Sequence, residues 1–91
     1  MPRFLIEVEH EGSTAACARA IELFLRTGSH FLSNADWGCK DGTHKAWVVL
    51  DVDDRDQALG VVPPEYRPNA RVIQLTSFSM KDVEDMLGHH E

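Results

Sequence analysis

The chain has 91 residues, of which 43% are hydrophobic, so it is long enough for one small domain with a single modest core. Its net charge is −6 and no cluster of Lys or Arg interrupts the acidic background, which argues against binding to nucleic acid or to anionic membranes. The apolar runs are short and the first residues lack a secretory pattern, so we expect one cytoplasmic domain over residues 1–91. Its two cysteines are then expected to be free thiols or metal ligands rather than a disulfide.

The chain begins with a predicted β-strand over residues 3–9. Apolar Phe4, Ile6 and Val8 alternate with residues that are mostly charged, which is the pattern of a strand with one face in the core. His10 extends the inner face of this strand at its end. The following Glu-Gly pair breaks the pattern and ends the strand.

A helix is predicted over about residues 13 to 27. Ser13 is a good N-cap residue, and the helical spacing of Cys17 and Phe24 places both on the side opposite the charged stripe. Cys17 is therefore expected to be buried in the first turn, where the helix dipole favours a thiolate. Gly28 is expected to end the helix.

The stretch from residue 31 to residue 52 is predicted to form a β-hairpin. Asp41-Gly42 lies between two alternating runs, and this dipeptide is typical of a two-residue type I′ turn, which needs positive φ at both central residues. With these residues as the loop, Trp37 faces Ala46 and Cys39 faces His44. The inner face of the hairpin then carries Phe31, Ser33, Ala35, Trp37, Cys39, His44, Ala46, Val48, Leu50 and Val52.

The segment after the hairpin predicts a second helix and a fourth strand. Asp53 or Asp54 can cap a helix over about residues 54 to 62, and the two prolines that follow stop it. An irregular connection must come next, because a further proline removes another backbone donor. Residues 71–78 are rich in β-forming side chains and predict the fourth strand.

A short third helix is predicted after residue 79. Ser79 followed by Asp82 resembles a capping box, and the apolar residues that follow are spaced at helical intervals. Gly88 ends this helix before the polar tail at residues 89–91. The two histidines of that tail are expected to be solvated.

The element order βαββαβ resembles the ferredoxin-like plan, an α+β fold with a four-stranded antiparallel sheet and the first two helices on one face. The segment HFLSNADWGCKDGTHKAWVVLDVDD, together with the short second helix ending in a proline loop, resembles small bacterial domains of the dimeric α/β barrel superfamily. That superfamily includes nickel-binding members, cofactor-independent oxygenases and isomerases, and domains of unknown function. The resemblance implies a homodimer whose two sheets meet through their open faces.

Four residues with metal-binding side chains are predicted to converge at one end of this sheet. In a sheet of order 4-1-3-2, strands 1 and 2 are parallel, so their ends and the start of strand 3 lie together near the start of the first helix. This arrangement collects His10, Cys17, Cys39 and His44. Thiolates and neutral imidazoles are good ligands for Ni, Zn or Cu ions. The alternative is that the cysteines pack in the core and the histidines bond to backbone groups.

A second candidate site lies on the open face of the sheet. This face includes an exposed Trp and several aliphatic side chains among carboxylates, which suits a cavity between two subunits. There Asp36 or Glu7 could act as general base and Asn34 could orient a polar group, while Trp47 and Glu9 bind the ligand. Alternatively the acids are solvated and Trp47 anchors a dimer. Leu32 is predicted to share this face.

The leading hypothesis for function is a small cytoplasmic binding module that takes a transition metal or a small ligand. The alternative is a cofactor-independent oxygenase or isomerase with its site on the open face. A purely structural or interaction role is a third option. The chain contains no GxGxxG, Walker or HExxH motif that would favour another chemistry.

Overall fold

The computed structural model describes residues 1–26 and 30–88, which form an α+β fold with one antiparallel sheet of four strands. The strands lie in the order β2-β3-β1-β4, so β1 and β3 are central and β2 and β4 are the edges. The α+β class and the antiparallel sheet predicted from the sequence are confirmed. The elements are β1 (Arg3–Glu9), α1 (Thr14–Arg26), β2 (Asp36–Trp37), β3 (Lys45–Asp51), α2 (Arg55–Val61), β4 (Ala70–Leu75) and α3 (Met80–Leu87).

The core lies on the inner face of the sheet and is centred on β1. Ile6 is fully buried and is paired with Val48 of β3 on one side and with Val72 of β4 on the other. Phe24 of α1 and Ala58 of α2 complete this core from the same side. Removal of these apolar side chains from water, worth roughly 25 cal/mol per Å², is the main force that holds the helices on this face.

Strand β2 is much shorter than the sequence predicts. Residues 32–34 form a 3₁₀ turn instead of an extended run, and this turn carries the side chain of Leu32 into the core, where it is 1% exposed. The prediction that Leu32 lies on the open face is therefore wrong. Ser33 Oγ donates a hydrogen bond of 2.7 Å to the carbonyl of His30, and such local bonds stabilise a turn in competition with a sheet ladder. The predicted pairing of Trp37 with Ala46 is confirmed.

The loop between β2 and β3 is also longer than predicted. Gly42 has φ of 81°, whereas no non-glycine residue in the described part of the chain has positive φ, so the two-residue type I′ turn at Asp41-Gly42 is wrong. Residues 39–41 form a 3₁₀ turn, and the carbonyl of Gly38 accepts hydrogen bonds from the N–H groups of Asp41 and Thr43. The ladder consequently stops before Cys39 and His44, which face each other across a loop and not across a strand pair.

The predicted helix starts are confirmed. Ser13 Oγ accepts a hydrogen bond of 3.0 Å from the Ala16 N–H, and Asp54 accepts one of 2.8 Å from the Gln57 N–H. Ser79 and Asp82 form the predicted capping box at the start of α3. The predicted helix end at Gly28 and the tail at residues 89–91 lie outside the described residues.

Helix α3 stands away from the sheet. Strand β4 ends at Leu75, earlier than predicted, and every residue of α3 is exposed. The chain therefore measures 59 × 28 × 21 Å, with a radius of gyration of 16.5 Å, against about 12 Å for a compact chain of this length. Among the described residues there is no helix with the length and apolar character needed to cross a membrane.

Candidate metal centre

The candidate site lies where β1 ends, α1 begins and the loop between β2 and β3 returns to the sheet. The backbone N–H of His10 donates a hydrogen bond of 3.1 Å to the carbonyl of His44, which fixes the end of β1 against this loop. The N–H of Gly38 donates to the Lys45 carbonyl at 3.0 Å and closes the base of the loop. These backbone bonds bring residues from distant parts of the chain to one place.

Three side chains with metal-binding atoms meet there. One atom from each of His10, Cys39 and His44 lies within 4.8 Å of the others, and His10 Nε2 is 3.1 Å from Cys39 Sγ. In a tetrahedral site with bonds of about 2.0 Å to nitrogen and about 2.3 Å to sulfur, neighbouring ligand atoms are roughly 3.5 Å apart. The three side chains therefore need movements of only about 1 Å to hold one ion.

The environment of the histidines suits metal binding. His10 is 8% exposed; burial lowers its pKa below the usual value, and the nearby His44 lowers it further. A lowered pKa keeps the imidazole neutral near pH 7, which is the form that binds a metal. Nδ1 of His10 and Nδ1 of His44 are both buried, and neither has a hydrogen-bond partner among the described residues. In His10 the nitrogen that faces Cys39 is Nε2, so its Nδ1 is not the atom that would bind an ion shared with Cys39.

The fourth predicted residue, Cys17, is bonded to Cys39. The structure joins the two as a disulfide, with 6.9 Å between their Cα atoms, so the expectation of two free thiols is wrong for this state of the protein. The physical reason is proximity: Cys17 lies near the start of α1, and the loop between β2 and β3 brings Cys39 against it. Cys17 is buried, as the helical spacing predicts.

A cavity gives access to Cys39 and His44. It has a volume of about 400 Å³ and is lined by the start of α1 and by the loop, including Gly12, Ser13, Cys17, Cys39, Lys40 and His44. The Cβ of any larger residue at Gly12 would lie 3.2 Å from the His44 ring, so glycine at this position leaves room for the imidazole. An ion or small ligand can therefore reach the site from solvent between α1 and the loop.

Trp37 is part of the wall of the site, which the sequence reasoning missed. Its ring lies 5.7 Å from the His10 ring and 4.9 Å from the Phe24 ring, in edge-on contacts with both. The signal was present in the predicted hairpin, because Trp37 is two residues before Cys39 and on the same face. An apolar wall of this kind excludes water from one side of His10.

The open face of the sheet carries three of the other predicted site residues in one row. Asp36 is paired with Trp47, and Trp47 with Glu7, across β2, β3 and β1. Trp47 Nε1 donates a hydrogen bond of 3.0 Å to Glu7, and Lys45 Nζ lies 3.7 Å from the same carboxylate. Glu7 is thus already engaged by two groups of its own chain, which suits a structural role.

Asn34 and Glu9 do not join that row. The side chain of Asn34 belongs to the 3₁₀ turn and donates to the His30 carbonyl at 3.4 Å, and Glu9 is exposed at the end of β1. The structure therefore brings together part of the predicted open-face site. The role of this face in catalysis stays a prediction.

Comparison of the chain with protein-family models, with curated proteins and with solved structures finds no match. What the chain shares with small dimeric α/β barrel domains is therefore a small α+β fold with a four-stranded antiparallel sheet. No family is assigned to it. The function of the chain is inferred below from its own residues.

Proposed function

We propose that this chain is a small cytoplasmic metal-binding module that holds one Zn, Ni or Cu ion between His10, Cys39 and His44 when the bond between Cys17 and Cys39 is reduced. The observation that supports it best is the approach of the three ligand atoms to within 4.8 Å of one another. Two imidazoles and one thiolate form a donor set that these borderline and soft ions prefer.

Reduction is needed because a disulfide sulfur is a poor metal ligand. Opening the bond takes up two electrons and two protons, which a dithiol supplies as it becomes a disulfide, and the products are the two thiols of Cys17 and Cys39. The cytoplasm keeps most protein thiols in this reduced form. Loss of a proton from Cys39 then gives the thiolate that binds the ion.

The number of protein ligands decides what the bound ion does. With three ligands, a fourth position stays open to the cavity of about 400 Å³, as in sites where a metal binds a small molecule. With Cys17 as a fourth ligand the site is closed, as in sites that store a metal or stabilise a fold. We expect Cys17 to be close enough for this role, because its sulfur is bonded to that of Cys39 in the oxidised form.

Two cysteine variants separate this function from plain core packing. Wild-type protein should bind one equivalent of Zn²⁺ in the presence of a phosphine reductant and little without it. Cys17→Ser leaves Cys39 as a permanent thiol, so it should bind Zn²⁺ without any reductant. Cys39→Ser should bind Zn²⁺ at least about tenfold more weakly than Cys17→Ser, with or without reductant, since it removes a ligand. The measurement is competition with a chromophoric chelator.

Cys17→Ser and Cys39→Ser both abolish the disulfide and both keep nearly the same volume, so each controls for the other. His44→Gln should weaken binding as Cys39→Ser does. Equal Zn²⁺ affinity of reduced wild type and Cys39→Ser would contradict the proposed site, as would a reduced wild type that binds no Zn²⁺, Ni²⁺ or Cu²⁺. A Cys17→Ser affinity equal to that of reduced wild type would indicate three ligands, and a lower affinity would indicate four.

We also propose that the fold is ferredoxin-like in the finer sense. The order of elements, with α1 between β1 and β2 and α2 between β3 and β4, supports it. The shortness of β2 is the main departure from that plan.

A further inference from the structure

Helix α3 has an apolar side that nothing in the described part of the chain covers. Four residues, Met80, Val83, Met86 and Leu87, fall within an arc of about 120° on the helix, and the charged residues occupy the rest of its circumference. Met80, Met86 and Leu87 are 72%, 71% and 63% exposed. A helix of eight residues is marginal in water without packing, even with a capping box. The apolar side of α3 therefore needs a partner surface.

The open face of the sheet has an apolar row of matching size. Leu5 of β1 is paired with Val49 on one side and with Ile73 on the other, so the three side chains cross three strands on one face. Val49 is 53% exposed. With neighbouring strands about 4.8 Å apart, the row spans roughly 10 Å, and α3 is about 12 Å long. The row can therefore accept one copy of α3.

The surface area of the chain shows how much is left uncovered. The chain exposes 6354 Å², about 1,000 Å² more than a compact protein of its mass of 10.2 kDa exposes. A stable protein–protein interface buries about 800 Å² on each partner. The excess is thus of the size that one dimer interface would remove.

We propose that two copies of this chain form a closed dimer in which α3 of each copy packs on the Val49–Leu5–Ile73 row of the other. Because each copy offers one helix and one row, a two-fold axis satisfies both helices at once and leaves no free contact for further growth. The exposed Phe78 lies between β4 and α3, where it would be covered by the same contact. The dimer does not depend on a bound metal.

The charges on α3 favour another copy over a membrane as the partner. Its polar side carries Lys81 together with Asp82, Glu84 and Asp85. Helices that lie on anionic membranes carry mostly Lys and Arg on that side, so this helix would be repelled. Three cationic residues border the row on the sheet: Arg71, and Arg3 and Lys45, which lie 3.3 Å and 3.7 Å from carboxylates of their own chain. The rim is therefore of mixed charge, which an acidic helix can approach more readily than an anionic membrane.

The test uses two single variants, one on each half of the contact. Wild-type protein with a phosphine reductant should have twice the mass of one chain by light scattering at tens of micromolar. Met86→Lys on α3 and Val49→Glu on the sheet should each raise the dimer dissociation constant at least tenfold. Lys81→Gln, on the side of α3 nearly opposite the apolar arc, is the matched control and should change it less than twofold.

Mixing the two variants tests that the contact is direct and reciprocal. A mixed dimer has one contact with no substitution and one in which the two new charges are opposite, so mixing Met86→Lys with Val49→Glu should restore dimers. A monomeric wild type, for instance one in which α3 folds onto its own sheet, would overturn the proposal. So would a dimer that survives either variant, a mixture that stays monomeric, or an assembly larger than two chains. Thermal unfolding of each variant confirms that it is folded.

Discussion

Substitution of Gly38 by Ala should destabilise the protein and disrupt the candidate metal centre, although the backbone angles of Gly38 suit any residue. Gly38 has φ of −97° and ψ of 8°, a region that Ala also adopts. The difficulty is space: a Cβ atom at this position would lie 2.7 Å from the Thr43 carbonyl oxygen and 2.9 Å from the Trp47 ring. Both distances are too short for real atoms, and the nearer neighbour is backbone, so the loop must move.

The magnitude follows from these contacts. Insertion of a methyl group into a packed site costs about 1–3 kcal/mol. The hydrogen bond of 3.0 Å from the Gly38 N–H to the Lys45 carbonyl closes the loop, and its loss adds about 1 kcal/mol. We therefore expect the free energy of unfolding to fall by about 2–4 kcal/mol, and Tm by at least about 8 °C for a domain of this size. Cys39 is the next residue, so Zn²⁺ affinity should fall as well.

The assay is urea denaturation of Gly38→Ala beside the matched control Gly60→Ala. Gly60 lies within α2 and an added Cβ there meets nothing within 4 Å, so the control should be more stable than wild type by about 0.5–1 kcal/mol, through helix propensity. Its Zn²⁺ affinity should be unchanged. If Gly38→Ala were as stable as wild type, the tight loop that brings Cys39 to His44 would not exist as described.

Two further predictions concern titration. Burial lowers the pKa of His10, with His44 as the second cause, so the unfolded chain takes up a proton at higher pH than the folded chain. The free energy of unfolding should therefore fall as pH decreases below about 6.5. Between pH 7.5 and 5.5, urea denaturation should show a smaller fall for His10→Gln than for wild type. The backbone N–H of Ser79 is the main cause that lowers the pKa of Asp82, and the Ser79 side chain is the second cause. Ser79→Ala removes only the second cause, so it should raise that pKa in an NMR titration while leaving it below the usual value, and it should weaken the start of α3 by removing the N-cap.

The helices were predictable because their signals are local. Ser13, Asp54 and Ser79 each accept a hydrogen bond from an N–H in the first turn of the helix that follows, as their residue types predict. The strand β1 was predictable for a similar reason, since alternation over seven residues has few competing interpretations. The same alternation failed at residues 31–35, where burial of Leu32 and local bonds of Ser33 outweigh two more ladder pairs.

The sequence predicts which residues form the candidate site, but it does not predict the disulfide between Cys17 and Cys39. Strand order alone brings His10, Cys39 and His44 together, and this clustering survives the wrong turn type, because Gly38 and Lys45 still close the loop at its base. The disulfide depends on the exact approach of Cys17 to Cys39, which a shift of one residue in the loop would change. No local pattern in the sequence specifies that distance.

The measurement that tests the metal centre most directly is X-ray absorption at the zinc edge of reduced, zinc-loaded protein. The proposed site predicts sulfur at about 2.3 Å and imidazole nitrogen at about 2.0 Å from the ion. Cys17→Ser should keep one sulfur neighbour. If the site has three protein ligands, Cys39→Ser should have none. A spectrum of wild-type protein with oxygen and nitrogen neighbours only, and no sulfur, would contradict the assignment of Cys39 as a ligand.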